Sequence, residues 1–366
     1  MTSLLNGTSR IRVTQQTSGN SHTLVGIELD LGTSALIERQ YQEQINGSRF
    51  NLETDSKELM TIAGDILLGS LSDHAVSQIR EVGSGRGAPI LVISGLPSVS
   101  TPPATPIRGF GDDSKVTLAD ASLLAVFFAM GVSPIAFEFE NYGRLVRNVV
   151  PNPDSKGVES SHGFDAELGW HTDNPCGGFE PEHRVTRHAD RSPIPRFLGF
   201  SCLRNTDGTG IGVPTELLTV ASIVANLDDQ TLAVLGEPEF CINPPPSNAC
   251  GSLNHVPILI PNRTGYFLRF NANDDQVFGV TDRAMHAIGE LKLAMAECDS
   301  HDEIIPVDMQ PGTILVFDNY RVCHRRRSFN PGFDWANARW LRRIFACRSE
   351  LSGLFVDRRH WPSLWK

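Results

Sequence analysis

Apolar residues recur at helical spacing between Ser56 and Val82, at Leu59, Ile62, Ile66, Leu67 and Leu71, which predicts one long helix or two short ones. A glycine-rich break at 83–87 leads into 89–94 (PILVIS), a short β-branched run closed by Gly95 and Pro97, the pattern of a buried strand. A second helix is predicted over 117–130, capped by Thr117 or a neighbour. After Pro134 the period shortens. Apolar residues alternate within 135–140, 145–150, 196–204, 265–271, 313–318 and 339–347, with turn residues between, which predicts an antiparallel sandwich or barrel. Helices are expected to interrupt it at 214–226 and 283–298, while residues 1–20 read as a frayed tail or a short entry strand. The segment 174–195 is too polar for a core and reads as a solvated loop or as a lid.

The chain has 366 residues, 40% hydrophobic and 20% charged, which fits two average domains or one large β-rich domain with helical additions. Lys plus Arg is 32 and Asp plus Glu is 42, giving a formal charge of −10. That balance disfavours non-specific binding to nucleic acid or to an anionic membrane, so an anionic ligand needs a local basic cluster. The seven cysteines are scattered and never form a CxxC pair, against a disulfide framework or a zinc knuckle. The first 20 residues lack the apolar stretch of a secretory signal. No apolar run reaches the roughly 18 residues of a membrane span, and a cytoplasmic location is the default expectation.

The candidate chemistry begins at Gly169-Trp170-His171-Thr172-Asp173. On a strand, residues two apart face the same side, so His171 and Asp173 can reach one ion. The segment 313–318 leads towards His324, a third ligand far along the chain. Two histidines and one carboxylate on one face leave coordination positions open for an oxidant and a co-substrate, the facial triad of non-haem iron(II) chemistry. Beyond His324, Arg339, Leu341, Arg343 and Phe345 alternate onto one face. Unpaired buried cations are unfavourable, so either anionic ligands or protein acids such as Glu140 or Asp318 must meet these arginines. For Arg342, on the opposite face, protein acids are the preferred partners.

The order His171-x-Asp173, a long gap, His324 and then Arg339 resembles the 2-oxoglutarate-dependent dioxygenases. More narrowly, it is similar to the clavaminate synthase-like group that includes hydroxylases of free amino acids. The resemblance spans about 93–347 and takes in the run from Glu140 to Pro151, ENYGRLVRNVVP. It implies a single oxygenase domain over 1–366: a mainly β double-stranded β-helix (jelly roll) over 134–350 with a lid at 174–195. Helical and strand support over 20–133 flanks that core. It implies iron(II) on His171, Asp173 and His324, no catalytic residue beyond them, 2-oxoglutarate on Arg339 with Thr215 assisting, and dioxygen as the other co-substrate. The implied substrate is a small amino acid, polar or arginine-like, hydroxylated at its β or γ carbon, as in antibiotic biosynthesis. Arg343 would take the substrate carboxylate, with Glu140 and Ser161 on the ammonium side. Where arginine hydroxylases of the group carry Asp-x-Asp, this chain has Asn271-Ala272-Asn273 followed by Asp274, so the side-chain pocket departs from that pattern. The carboxylate at Asp173 disfavours halogenation, which needs that position vacated.

Three other readings stay open on the residues alone. In one, the substrate is tethered to a carrier or modified, with desaturation or cyclisation as the outcome. A zinc hydrolase could use the same ligands, and a non-catalytic jelly-roll binding module could keep the fold. The run Arg325-Arg326-Arg327 reads as a solvated turn at the site mouth, and Trp170 and Trp340 as packing residues.

Overall fold

Two mostly antiparallel sheets form the centre of the molecule in the computed structural model, which describes residues 11–18, 21–46, 50–137, 140–179, 194–244, 251–348 and 363–364. The larger sheet runs, neighbour to neighbour, Arg12–Ser18, Ser21–Glu28, Ile90–Ser94, Ile314–Asp318, Phe197–Arg204, Trp340–Arg348, Val132–Phe137 and Ser363–Leu364. Arg147–Val149 pairs with Trp340–Arg348 as well. The smaller sheet runs Ile305–Val307, Thr215–Thr219, Val322–Arg326, Leu168–His171.

Period-two alternation explains how the layers stack. In the Ile314–Asp318 strand, Leu315 and Phe317 join an apolar layer shared with Leu217 and Val322 of the smaller sheet. Ile314 and Val316 point the other way, into a second layer with the N-terminal helices. A strand buried on both faces reads as a continuous apolar run, which is why ILVF was legible as a strand but its faces were not. The outer surface of the smaller sheet carries Trp170, Leu218 and Cys323 against Ala284, Ile288 and Leu291 of the Asp282–Ser300 helix.

The helix Thr117–Met130 is buried nearly all round, with Leu123, Leu124 and Phe127 fully enclosed, and it lies on the larger sheet. Gly199 permits that approach: a Cβ there would sit 2.5 Å from the Phe127 ring. Gly131, at φ 70°, ends the helix in the left-handed cap.

Several expectations meet their positions closely. The helix at 117–130 is observed as Thr117–Met130, although Val116 and not Thr117 precedes it. The long apolar stretch from Ser56 forms two helices, Ser56–Ser70 and Asp73–Gly83. The helix expected over 214–226 is half strand: Thr215–Thr219 belongs to the smaller sheet, and only Val220–Ala225 is helical. Its TELLT segment is flanked by strands on both sides, and that tertiary pairing overrides helical propensity. The helix Leu31–Tyr41 and the strand Ser21–Glu28 were not anticipated. Among the described residues, no helix is long and apolar enough to cross a membrane.

Candidate active site

His171 is the last residue of the Leu168–His171 strand, and Asp173 lies just beyond it, so the expected i, i+2 arrangement straddles the strand end. His324 sits in the middle of Val322–Arg326, not at the end of the strand that begins at Ile314. A turn at 319–321 carries the chain from one sheet to the other, and pairing in the smaller sheet then sets His324 directly opposite His171. The ligand atoms of the three residues all lie within 4.8 Å of one another. Asp173 Oδ1 is 3.4 Å from His171 Nε2 and 3.6 Å from His324 Nε2.

The protein presets this group for a cation. His171 Nδ1 is 2.8 Å from the Gly169 carbonyl, which holds the proton on Nδ1 and leaves the Nε2 lone pair facing the cluster. The His324 ring is oriented by packing, 5.0 Å from the Phe317 ring centroid and 4.0 Å from that of His171. Burial, then the neighbouring His171, pushes the pKa of His324 down to about 3, so its imidazole is neutral. Burial works to raise the pKa of Asp173. Its contacts with the His171 and His324 rings and the charge of Arg343 outweigh it and hold the carboxyl below the usual carboxylate range. A neutral imidazole and an ionised carboxylate are what a divalent metal requires of its ligands. Asn319 braces the carboxylate's backbone: its Oδ1 accepts from Asp173 N at 2.8 Å and its Nδ2 donates to Asp173 O at 3.0 Å.

A cavity of about 180 Å³ opens over these ligands. Of the expected residues, Arg339, Thr215, Arg343, Glu140, Ser161 and Asn271 line it, together with Leu341 and Phe345. Asn273 and Asp274 stand outside its lining, beside an adjoining cleft. Asn273 Nδ2 donates to Glu159 at 3.4 Å, and Asp274 pairs with Lys292 at the surface. Residues 180–193, most of the segment expected to act as a lid, lie outside the described residues.

Arg339 is buried, and its Nε donates to Asn205 Oδ1 at 2.8 Å. No carboxylate reaches it among the described residues, and burial, then the nearby Arg326, pushes its pKa down to about 10. Arg339 lines the cavity, and its two terminal nitrogens have no protein acceptor among the described residues, which leaves them available to a bidentate carboxylate. Arg343 instead spans Asp173, 3.0 Å from Oδ2, and Glu140, and lies over the Phe345 ring. Arg342 faces the helices, in bidentate contact with Asp120 at 2.8 and 2.6 Å and with Asp113 at 2.6 Å.

The basic run behaves differently from the expected solvated turn. Arg325 and Arg326 are buried strand residues: Arg325 meets Glu216 and Asp299 and covers the Trp170 ring, and Arg326 donates to the carbonyls of Ala166 and Arg327. Pairing with Leu168–His171 pulls the run into the sheet. Trp340 Nε1 donates to Asn148, a packing role.

Sequence reasoning missed Arg147, Asn205, Asn319, Glu159 and Gln276. Arg147 had a signal, a charge two residues from Val149 on an alternating segment; both line the cavity. The asparagines gave none, because an amide's partner depends on distant pairing.

Residues 246–345 match the model of the taurine catabolism dioxygenase TauD, TfdA family. An enduracididine beta-hydroxylase of Streptomyces hygroscopicus is 28% identical over 302 residues, 74% of this chain and 80% of the relative. An L-lysine 3-hydroxylase of Catenulispora acidiphila is 27% identical over 260 residues, 70% of this chain and 66% of the relative. Among solved structures, an asparagine oxygenase in complex with Fe(II), 2S,3S-3-hydroxyasparagine and succinate superposes with a TM-score of 0.74. It shares 25% identity and covers 92% of this chain and 98% of its own.

Proposed function

We propose, from the premise that this chain is kin to the TauD/TfdA-type 2-oxoglutarate-dependent dioxygenases, that it hydroxylates the β or γ carbon of a free L-amino acid. The two facing sheets are read as the jelly-roll core of such enzymes, with the N-terminal helices as its support. His171, Asp173 and His324 would hold iron(II), which when bound supplies the oxidising chemistry with dioxygen and 2-oxoglutarate. Arg339 receives the distal carboxylate of 2-oxoglutarate, with Thr215 on the facing strand. Arg343 takes the substrate carboxylate, exchanging its contact with Asp173 for one with the ligand. Glu140 and Ser161 meet the amino-acid backbone. Asn271 and the exposed carboxylate of Glu159 lie along the same cavity, which supports a polar or cationic side chain.

One observation carries the reading: a buried arginine with two undirected donor nitrogens shares a cavity with a metal-ready triad. A hydrolase has no use for such a cation, and a binding module has no use for the triad. The test is succinate release from 2-oxoglutarate, under air with iron(II), across the free L-amino acids. Stimulation by a polar or basic amino acid, abolished in His171→Ala and Arg339→Met, is the expected result. Iron binding without stimulation by any free amino acid would overturn the free-substrate part, and failure to bind iron would overturn the triad.

A further inference from the structure

Glu140 receives two guanidinium groups on a single oxygen. Arg343 and Arg147 both donate to Oε1, Arg147 through Nη1 at 2.7 Å, whereas Oε2 has no hydrogen-bond partner among the described residues. The other terminal nitrogen of Arg147, Nη2, donates to Ser161 Oγ at 2.8 Å. Sheet register creates the arrangement, because Arg147 is the Cα partner of Arg343 on the adjoining strand. The Arg147 side chain is only 20% exposed and is held at both ends of its guanidinium. It therefore ties together two cavity residues that are 21 positions apart in the chain, Glu140 and Ser161.

A guanidinium has donors and no acceptor. The Ser161 oxygen therefore accepts from Arg147, and its own proton is left to be given elsewhere. Glu140 Oε2 is an acceptor only, because Asp and Glu carboxylates donate nothing when ionised. The two groups thus offer the cavity opposite polarity, one proton and one lone pair. Resting on the reading above, we propose that Arg147 is a positioning residue that fixes the polarity of the amino-acid end of the site. It turns Glu140 Oε2 towards the substrate's α-ammonium and leaves the Ser161 hydroxyl to donate to the α-carboxylate held by Arg343. This reassigns Ser161, which the family resemblance places on the ammonium side.

The test separates ammonium recognition from carboxylate recognition. L-Arginine, L-lysine and L-asparagine are compared with their counterparts lacking the α-amino group: 5-guanidinopentanoate, 6-aminohexanoate and succinamate. Kd is measured without oxygen on protein loaded with iron(II) and 2-oxoglutarate, and the ratio of the two Kd values for each pair reports what the ammonium contributes. In Arg147→Met that ratio is expected to shrink about tenfold, a charged hydrogen bond's worth of discrimination. The KM for 2-oxoglutarate stays within about twofold, since Arg339 is untouched. Arg147→Lys, which keeps the charge and reaches one partner at a time, recovers part of the ratio. An unchanged ratio alongside a lowered melting temperature would make Arg147 a structural residue and overturn the proposal.

Ser161→Ala provides an arm that does not depend on the folding of the arginine variants. It is expected to weaken the amino acid and its des-amino counterpart equally, leaving the ratio as it was. A ratio that shrinks in Ser161→Ala would return the hydroxyl to the ammonium and overturn the assignment. Failure of the wild type to bind any of the three amino acids, with no succinate released, would remove the free-amino-acid reading and this inference with it. Normal wild-type binding with unresponsive ratios would remove this inference alone.

Discussion

Arg342 and Arg339 stand three residues apart and are both buried, yet their donors end differently. Arg342 spends its guanidinium on Asp120 and Asp113, with Asn148 as a further acceptor. Arg339 has one neutral amide on Nε and no acid among the described residues. Burial acts on both, lowering the affinity for the proton in each. The acids around Arg342 reverse that effect and raise its pKa above the ordinary arginine value, whereas Arg339 stays depressed. The same residue type therefore serves as a structural clamp towards the helices and, on the function proposed above, would serve as an anion receptor towards the cavity.

The largest expected effect breaks the clamp. Asp120→Ala leaves Arg342 buried beside a lost counter-ion and is expected to lower the unfolding free energy by about 3–5 kcal/mol, read by denaturant titration. The folded fraction should keep its KM for 2-oxoglutarate. Little loss of stability, or a raised KM, would show that the two faces are not separate in function.

Arg339→Met makes the converse change. Removing one partner of a buried charge pair costs about 2–5 kcal/mol of binding, so 2-oxoglutarate affinity should fall by roughly two orders of magnitude or more. Its melting temperature should hold or rise, because an unpaired buried cation has gone. A drop in stability like that of Asp120→Ala would mean that Arg339 has protein partners after all. A third variant sharpens the contrast: Arg342→Met combined with Asp120→Leu removes both charges, and its stability should lie within about 1–2 kcal/mol of wild type.

These arginines also show what was legible in the sequence. Arg339, Leu341, Arg343 and Phe345 do share the cavity, because period-two alternation needs only the strand to exist. Arg342 was correctly turned away from them, to protein acids. Which acids those are was not legible: Asp120 lies on a helix more than 200 residues earlier, and Asp318, the other acid considered for these arginines, pairs with Arg196 instead. The alternative in which a protein acid meets Arg343 is realised through Glu140. Metal-ligand spacing was readable, but the turn at 319–321 that moves His324 into a second sheet was not, since periodicity does not report which sheet a strand joins. The burial of Arg325 and Arg326 was hidden for the same reason.

The smallest effect tests whether Arg339 is held in place for an anion or is simply short of acidic neighbours. Asn205 holds Arg339 Nε through Oδ1 at 2.8 Å and is itself fixed by donating to Asp308 Oδ1 at 3.0 Å. If that chain of contacts aims the terminal nitrogens into the cavity, Asn205→Ala loses one hydrogen bond to a charged group, about 1.5 kcal/mol, and the KM for 2-oxoglutarate rises about tenfold. The maximal rate should change less, because the amide touches the arginine and not the reacting atoms. Asn205→Asp should not rescue the loss, since it supplies Arg339 with the counter-ion that 2-oxoglutarate would otherwise provide and sets a second carboxylate against Asp308. An unchanged KM in Asn205→Ala would mean that packing alone orients Arg339, and the contrast with Arg342 would then rest on missing acids rather than on a built receptor.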